Sequence, residues 1–245
     1  MQNLIINSVT RISLSCQIKL PLAPPYFCIV MDTIKHQGMR KNLINALRKK
    51  ELYEEQVLDA MNLVPRHLFI DSSAFLEFAY QDAAFPIGAG QTISHPSTVA
   101  WQTSLLNVKK GERVLEIGTG CGFQTAVLCE LKAKVYTIER QRELYMKTKR
   151  LLPEMGYRAH LYYGDGYKGI PQWAPYDKVI VTCGAPKIPE DLLAQLVVGG
   201  VMVVPVGEGT QTMMLIEKRG EDEYDIQECG DFSFVPMLPD RDGLS

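Results

Sequence analysis

The sequence predicts an α/β fold: one doubly wound, mostly parallel sheet of seven strands with helices on both faces, of the Rossmann-like type. Three observations predict it. From Ser97 onward, short apolar runs alternate with helical stretches, the pattern of a parallel sheet covered on both sides. A turn with glycines at alternate positions, Gly118–Gly122, joins an apolar run to a helical one in VLEIGTGCGFQTAVL (Val114–Leu128). Composition is that of a folded chain, 46% hydrophobic and 22% charged with a formal net charge of −2. That balance argues against disorder and against the basic footprint of a nucleic-acid binder.

The elements follow in chain order. Met1–Val30 mixes polar and apolar residues and then becomes proline-rich. It lacks the unbroken apolar core of a signal peptide or a membrane span. It reads as an extension preceding a single domain over 31–245, with N-terminal helices and a loop over 39–96 and the sheet over 97–236. Met39, Leu43 and Leu47 recur every four residues, as an amphipathic helix requires. The basic stretch Gly38–Lys50 is then that helix's solvated face. Glu54 and Glu55 open a second helix through Leu63, with acids at its positive end, and Pro65 ends it. Tyr80–Pro96 carries turn chemistry throughout and reads as one long ordered loop, a kind often functional.

Ser97–Leu106 reads as a helix, Arg113–Ile117 as a strand and Phe123–Leu131 as a helix. Lys134–Glu139 is a strand, Arg140–Leu152 a helix, and Ala159–Gly166 a strand running into a turn. Asp177–Cys183 is a strand followed by a helix over Pro189–Val197. Gly199–Gly207, Thr212–Lys218 and the weaker Tyr224–Cys229 follow one another without helices, so that edge of the sheet is expected to be antiparallel. The six cysteines show no metal-ligand spacing; no metal is expected, and a reducing cytosol fits them.

In open α/β sheets, ligands sit beyond the carboxyl ends of the strands, where the strand order reverses. The glycine turn lies at such an end, and the next strand closes on Glu139, a carboxylate suited to the two hydroxyls of a ribose. The dinucleotide pattern G-x-G-x-x-G fails in both registers, because Phe123 and Thr125 stand where its last glycine belongs. The pattern is E-x-G-x-G-x-G, opening on Glu116. A pyrophosphate favours a helix N-terminus without a nearby anion. S-adenosylmethionine carries a sulfonium and an ammonium and tolerates one. In YGDG, Asp165 is placed to meet an adenine amino group with Gly166 leaving room, although an Asp-Gly pair alone reads equally as a turn or cap. Together these features point to S-adenosyl-L-methionine as cofactor, with S-adenosyl-L-homocysteine as product.

Further stretches resemble the protein-L-isoaspartate (D-aspartate) O-methyltransferase family. They are VPRHLF (Val64–Phe69), IGAGQTISHP (Ile87–Pro96), GDGYKG (Gly164–Gly169), VTCGAPKIPEDLLAQLVVGG (Val181–Gly200), VPVG (Val204–Gly207) and FVP (Phe234–Pro236). With the glycine turn they cover about Met39 to Pro236 in family order. The T-I-S loop and the AP-x-IP stretch are the most specific of them. Cys121 and Cys183 stand where Ser or Ala is more usual, and a thiol at Cys121 is a candidate for oxidation.

The resemblance implies methyl transfer to the free α-carboxylate of L-isoaspartyl residues, with D-aspartyl residues as a second acceptor. That carboxyl group has a pKa of roughly 3.3–3.7, so it is already an anion and needs no general base. Opposite charges vanish in the transfer, so the protein must align the reactants and exclude water, a proximity effect of about 7–11 kcal/mol. The ester then closes to a succinimide, which initiates repair. By resemblance Ser94 aims the carboxylate, Thr92 and Ile93 flank it, and Val206 in VPVGEG (Val204–Gly209) walls the peptide. The cofactor falls to Glu116, Gly118, Thr119, Gly120, Cys121, Gly122, Gln124, Glu139, Arg140, Asp165 and Gly166. Isoaspartyl proteins are the implied partners, with no nucleic acid or membrane, for a cytoplasmic monomer.

No Ser-His-Asp arrangement is suggested: His95 lacks an evident partner and His67 reads as a packing residue. Three alternatives stay open. One is a small-molecule methyltransferase. Another is a nucleic-acid methyltransferase, against which VTCGAP (Val181–Pro186) offers no acid or amide to engage a flipped base. The third is a cofactor-binding module without catalysis, against which the intact T-I-S loop speaks.

Overall fold

The computed structural model describes residues 32–70 and 72–242. The chain divides into two units, Met1–Met31 and Asp32–Ser245, and the described residues belong to the second. The extension expected at Met1–Val30 lies outside them.

The first helix, α1, spans Ile34–Arg48, with Thr33 capping it by accepting from the His36 N–H. Its Leu43 and Leu47 are buried one turn apart, as the four-residue repeat requires, with Ile44 beside them. Helix α2 follows at Glu55–Leu63, and a 3-10 turn covers Arg66–Phe69. The long loop expected over Tyr80–Pro96 is in part a hairpin: β1 (Phe85–Gly88) pairs antiparallel with β2 (Gln91–Ile93). Four residues and three are too few for the alternation that reveals a strand in sequence, and the glycines hide it further.

After α3 (Pro96–Leu106) come β3 (Arg113–Ile117), α4 (Phe123–Glu130), β4 (Lys134–Glu139), α5 (Arg142–Glu154), β5 (His160–Tyr163) and β6 (Tyr176–Val181). The helix expected over Pro189–Val197 is only α6, Glu190–Ala194, because Leu196 already belongs to an eleven-residue strand, β7 (Leu196–Val206). Strands β8 (Gln211–Lys218) and β9 (Tyr224–Phe232) complete the chain's sheet.

The seven-stranded sheet has the order β5-β4-β3-β6-β7-β8-β9. Pairings from β5 through β7 are parallel, and β8 runs antiparallel to both its neighbours. The chain winds outward from β3 to β5 and then returns to lay β6 against β3. The switch point therefore lies between β3 and β6, directly beyond the Gly118–Gly122 turn.

Alternation along the strands divides the core. Leu115, Ile117, Val179 and Val181 face α6 with Leu192 and Leu193. Val114, Ile180 and Val203 face Leu106 of α3 and Leu128 of α4. A third cluster packs α1, α2 and the hairpin against α4 and α5, through Leu47, Met61, Ile87, Phe123 and Leu152. The hairpin is thus fastened to the sheet's carboxyl ends through the N-terminal helices.

Candidate active site

The turn after β3 holds its shape through positive φ angles. Gly118 and Gly122 both sit at φ +91, which only glycine adopts without strain. Space demands glycine as well: a Cβ on Gly118 would stand 2.6 Å from Thr182 Oγ1, and one on Gly122 would stand 2.8 Å from Thr148 Cγ2 of α5. At these two positions packing alone already requires glycine. Thr182, the first residue after β6, donates its hydroxyl toward Ile117 O (2.9 Å) and Gly118 O (2.7 Å), closing the seam between the two strand ends.

The turn's own N–H groups are largely engaged. Gly118 and Thr119 donate to Ile138 O, and Gly122 donates to Thr119 O. Gly120 N donates to Glu139 Oε2 at 2.8 Å, and Gln141 N donates to Glu139 Oε1 at 2.7 Å. The carboxylate of Glu139 is therefore fixed at the end of β4, each oxygen keeping further acceptor capacity. Burial pushes its pKa up, opposed by those backbone donors.

Two adjoining cavities open over these strand ends. The first is floored by Ile117, Ile138 and Glu139, bounded on one side by Ile87, Gln91 and Thr92 of the hairpin and on the other by Val235–Leu238. Arg140, Gly166, Thr182 and Cys183 complete its walls. The far wall is held by Met237 N donating to Gly184 O (2.7 Å) and by the Tyr167 hydroxyl donating to Met237 O (3.2 Å). The second cavity is lined by Ile93, Ser94, Val99, Gln102, Thr119, Cys121, Phe123 and Gln124. Thr92, Gly118, Gly120 and Thr182 line both.

Of the residues singled out in the sequence, Ser94, Thr92, Ile93, Thr119, Cys121 and Gln124 meet in the second cavity. Glu139, Arg140 and Gly166 meet in the first, and Gly118 and Gly120 border both. Glu116, Gly122, Asp165 and Val206 line neither. Glu116 shares a strand face with Val114, so its side chain points under α4, where Oε2 accepts from the Thr125 hydroxyl at 2.5 Å. Fully buried, it has its pKa pushed up to about 8, only partly offset by the Thr125 and Thr137 hydroxyls. The expectation that a Glu116 anion faces a cationic ligand is therefore corrected. Asp165 takes the ordinary role of its Asp-Gly pair, capping a 3-10 turn by accepting from Tyr167 N at 2.9 Å. Val206 ends β7 and bridges to Ala185.

Sequence reasoning missed Thr182, Gln102 and the Val235–Leu238 wall. Thr182 had a signal, since it directly follows an apolar strand whose carboxyl end faces the switch point. Gln102 is a polar residue on a buried helix face; its amide donates to Val181 O at 3.0 Å. Of the distant wall, only the FVP stretch (Phe234–Pro236) carried a signal, through the family resemblance; its place at the cleft depends on the folded topology that returns it there.

A doubly wound sheet, a cleft at its switch point and an acid ending the second strand of the unit define the nucleoside-binding Rossmann-like class, which includes the S-adenosylmethionine-dependent methyltransferases. Similarity to known proteins narrows the class. The profile of the Protein-L-isoaspartate(D-aspartate) O-methyltransferase family matches residues 38–242, and the chain belongs to that family. It is 60% identical over 211 residues to a protein-L-isoaspartate O-methyltransferase of Christiangramia forsetii, covering 86% of this chain and 99% of the relative. Identity to that of Flavobacterium psychrophilum is 58% over the same length, with the same coverage. A solved protein-L-isoaspartate O-methyltransferase superposes with a TM-score of 0.74 at 29% identity, covering 80% of this chain and 65% of its own. A beta-aspartate methyltransferase from Plasmodium falciparum, solved with S-adenosyl-L-homocysteine, shares the fold with a TM-score of 0.70 at 24% identity, covering 81% and 98% of the two chains.

Proposed function

We propose that the chain transfers a methyl group from S-adenosyl-L-methionine to the free α-carboxylate of L-isoaspartyl residues in damaged proteins, with the donor in the first cavity and the acceptor reaching it through the second. One observation carries this division: the cavities share a wall, with Glu139 in one and Ser94 in the other.

The residues fit the donor. Glu139 presents acceptor oxygens at the strand end, as a ribose diol requires, while the engaged N–H groups of the turn leave little for a pyrophosphate. Gly118, Gly120, Glu139, Arg140 and Gly166 would hold the nucleoside, with Thr119, Cys121 and Gln124 beside the shared wall. When bound, S-adenosylmethionine supplies its methyl as an electrophile on a sulfonium.

The chain's own contribution is orientation and dryness. The acceptor carboxylate arrives ionised, so no buried base is called for. Ser94 donates a hydrogen bond to one carboxylate oxygen and leaves the other aimed at the shared wall, with Thr92 as a second polar contact. Ile93, Val99 and Phe123 keep water from a reaction that neutralises two charges. Gln124 lines the same cavity, and its Oε1 is buried without a hydrogen-bond partner among the described residues. The enzyme acts as a cytoplasmic monomer on this reading, a setting that suits four free cysteines among the described residues. No helix among those residues is long and apolar enough to cross a membrane.

An isoaspartyl peptide and its normal aspartyl twin, each incubated with methyl-labelled cofactor, test the proposal. Base-labile label on the isoaspartyl peptide alone is expected. Label on both peptides, or on neither, would overturn it.

A further inference from the structure

The Val235–Leu238 wall of the first cavity belongs to none of the sheet's strands and to no helix. Its path begins where the edge of the sheet stops. Main-chain pairing of β8 with β9 ends at Gln211 opposite Phe232. Beyond that pair the backbone leaves the edge, and the Gln211 side chain takes over: Oε1 accepts from Phe234 N at 2.8 Å. The chain then crosses to Gly184, just beyond β6. There Gly184 N donates to Val235 O at 2.8 Å, and Met237 N donates to Gly184 O at 2.7 Å. The Gln211 amide lies against the same glycine, since a Cβ on Gly184 would stand 2.8 Å from its Cδ and Nε2. One amide therefore holds the start of the wall directly and packs on the residue that holds its middle. We infer that Gln211 is a positioning residue for the methyl donor, setting donor affinity by fixing the Val235–Leu238 wall; this rests on the donor occupying the first cavity.

The amide has one orientation. Its Nε2 donates to Gly209 O at 2.7 Å, in the turn between β7 and β8. With a carbonyl at one end and an N–H at the other, the oxygen must face Phe234. Gln211 is only 4% exposed, so water has little access to replace a lost partner. Only an amide serves both ends. A carboxylate keeps an acceptor for Phe234 N and turns a second acceptor toward Gly209 O, while an apolar side chain of the same length keeps neither bond. That difference separates holding the wall from filling space.

Gln211 itself lines neither of the two cavities. Its influence reaches the donor through Val235 and Met237, which line the first. Ser94 and Thr92 come from the hairpin side and line the second. Loss of the Phe234 bond therefore falls on donor binding and not on the transfer step.

Calorimetric titration of the full chain with S-adenosyl-L-homocysteine tests this on the wild type, Gln211→Met and Gln211→Glu. Gln211→Met, which fills the space without either bond, should bind at least about tenfold more weakly, whereas Gln211→Glu, which keeps the Phe234 bond, should stay within about threefold of the wild type. In turnover on an isoaspartyl peptide, Gln211→Met should raise KM for S-adenosylmethionine by the same factor while kcat at saturating donor stays within about threefold of the wild type. Hydrogen exchange on the wild type needs no variant: S-adenosyl-L-homocysteine should slow exchange of the Phe234 and Met237 amides. Wild-type affinity in Gln211→Met, equal losses in the two variants, a fall in kcat with KM unchanged, or exchange indifferent to S-adenosyl-L-homocysteine would overturn the inference. Titration and exchange need no acceptor. A wild type that binds S-adenosyl-L-homocysteine and leaves the isoaspartyl peptide unmethylated therefore counts against the proposed function and not against Gln211.

Discussion

Glu139 and Glu116 lie on adjacent strands, and the same burial acts on them to different ends. Glu139 keeps its carboxylate at the cleft because two backbone N–H groups fix it there. Glu116, one position before the end of β3, points under α4 and is held protonated by burial, with a pKa near 8. The sign of its effect on stability follows. Below its ordinary value of 4.5 both folded and unfolded chains carry the proton, and the folded chain is not penalised. Between that value and about 8 the unfolded chain ionises while the folded chain resists, so stability falls as pH rises, then levels off. Glu116→Gln keeps an acceptor for Thr125 and removes this slope. Its melting temperature should gain on the wild type by on the order of 5 °C between pH 5.5 and pH 8.5, read by scanning calorimetry at both. A constant difference would show that Glu116 is ionised in the folded protein.

The hairpin that carries Thr92 toward Ser94 is anchored from its stem. Arg66, fully buried, donates Nε to Ala79 O and a terminal nitrogen to Ala83 O, both at 3.0 Å, while its guanidinium lies 4.9 Å over the Phe123 ring. Asp82 accepts from Ser97 N at 2.8 Å and so ties the same stem to the start of α3. Arg66→Met would strand one buried and one half-buried carbonyl and cost on the order of 2 kcal/mol. Because Phe123 lines the Ser94 cavity, the variant should also raise KM for an isoaspartyl peptide several-fold. Urea unfolding and peptide kinetics check both; unchanged stability would remove Arg66 as the anchor. Legibility in the sequence divides along the same physical line. Strands β3 and β4 were readable to the residue, since apolar runs bounded by turns announce themselves locally. The hairpin and the length of β7 were not, because pairing partners far along the chain decide them. Within the site, Glu139 and the glycine turn stood out by position, and Ser94 through the family motif. Thr182 and Val235–Leu238 depend on which strands become neighbours. Glu116 points away from the turn because period-two alternation puts it on the face of Val114, under α4.

At the scale of the whole molecule, the return of β6 to the side of β3 creates the crevice, and its two flanking walls arrive from elsewhere. The hairpin comes from the N-terminal helices, and Val235–Leu238 crosses from beyond β9. Two cavities with one common wall let donor and acceptor be held by different parts of the chain, and that separation is the account's central claim. Calorimetric titration with S-adenosyl-L-homocysteine, run on the wild type, Ser94→Ala and Glu139→Ala beside turnover on an isoaspartyl peptide, tests it most directly. Ser94→Ala should bind within about twofold of the wild type yet turn over at least about a hundredfold slower, a loss of about 3 kcal/mol in the transition state. Glu139→Ala should bind at least about tenfold more weakly. Product affinity that falls in step with turnover in Ser94→Ala, or stays unchanged in Glu139→Ala, would contradict the division.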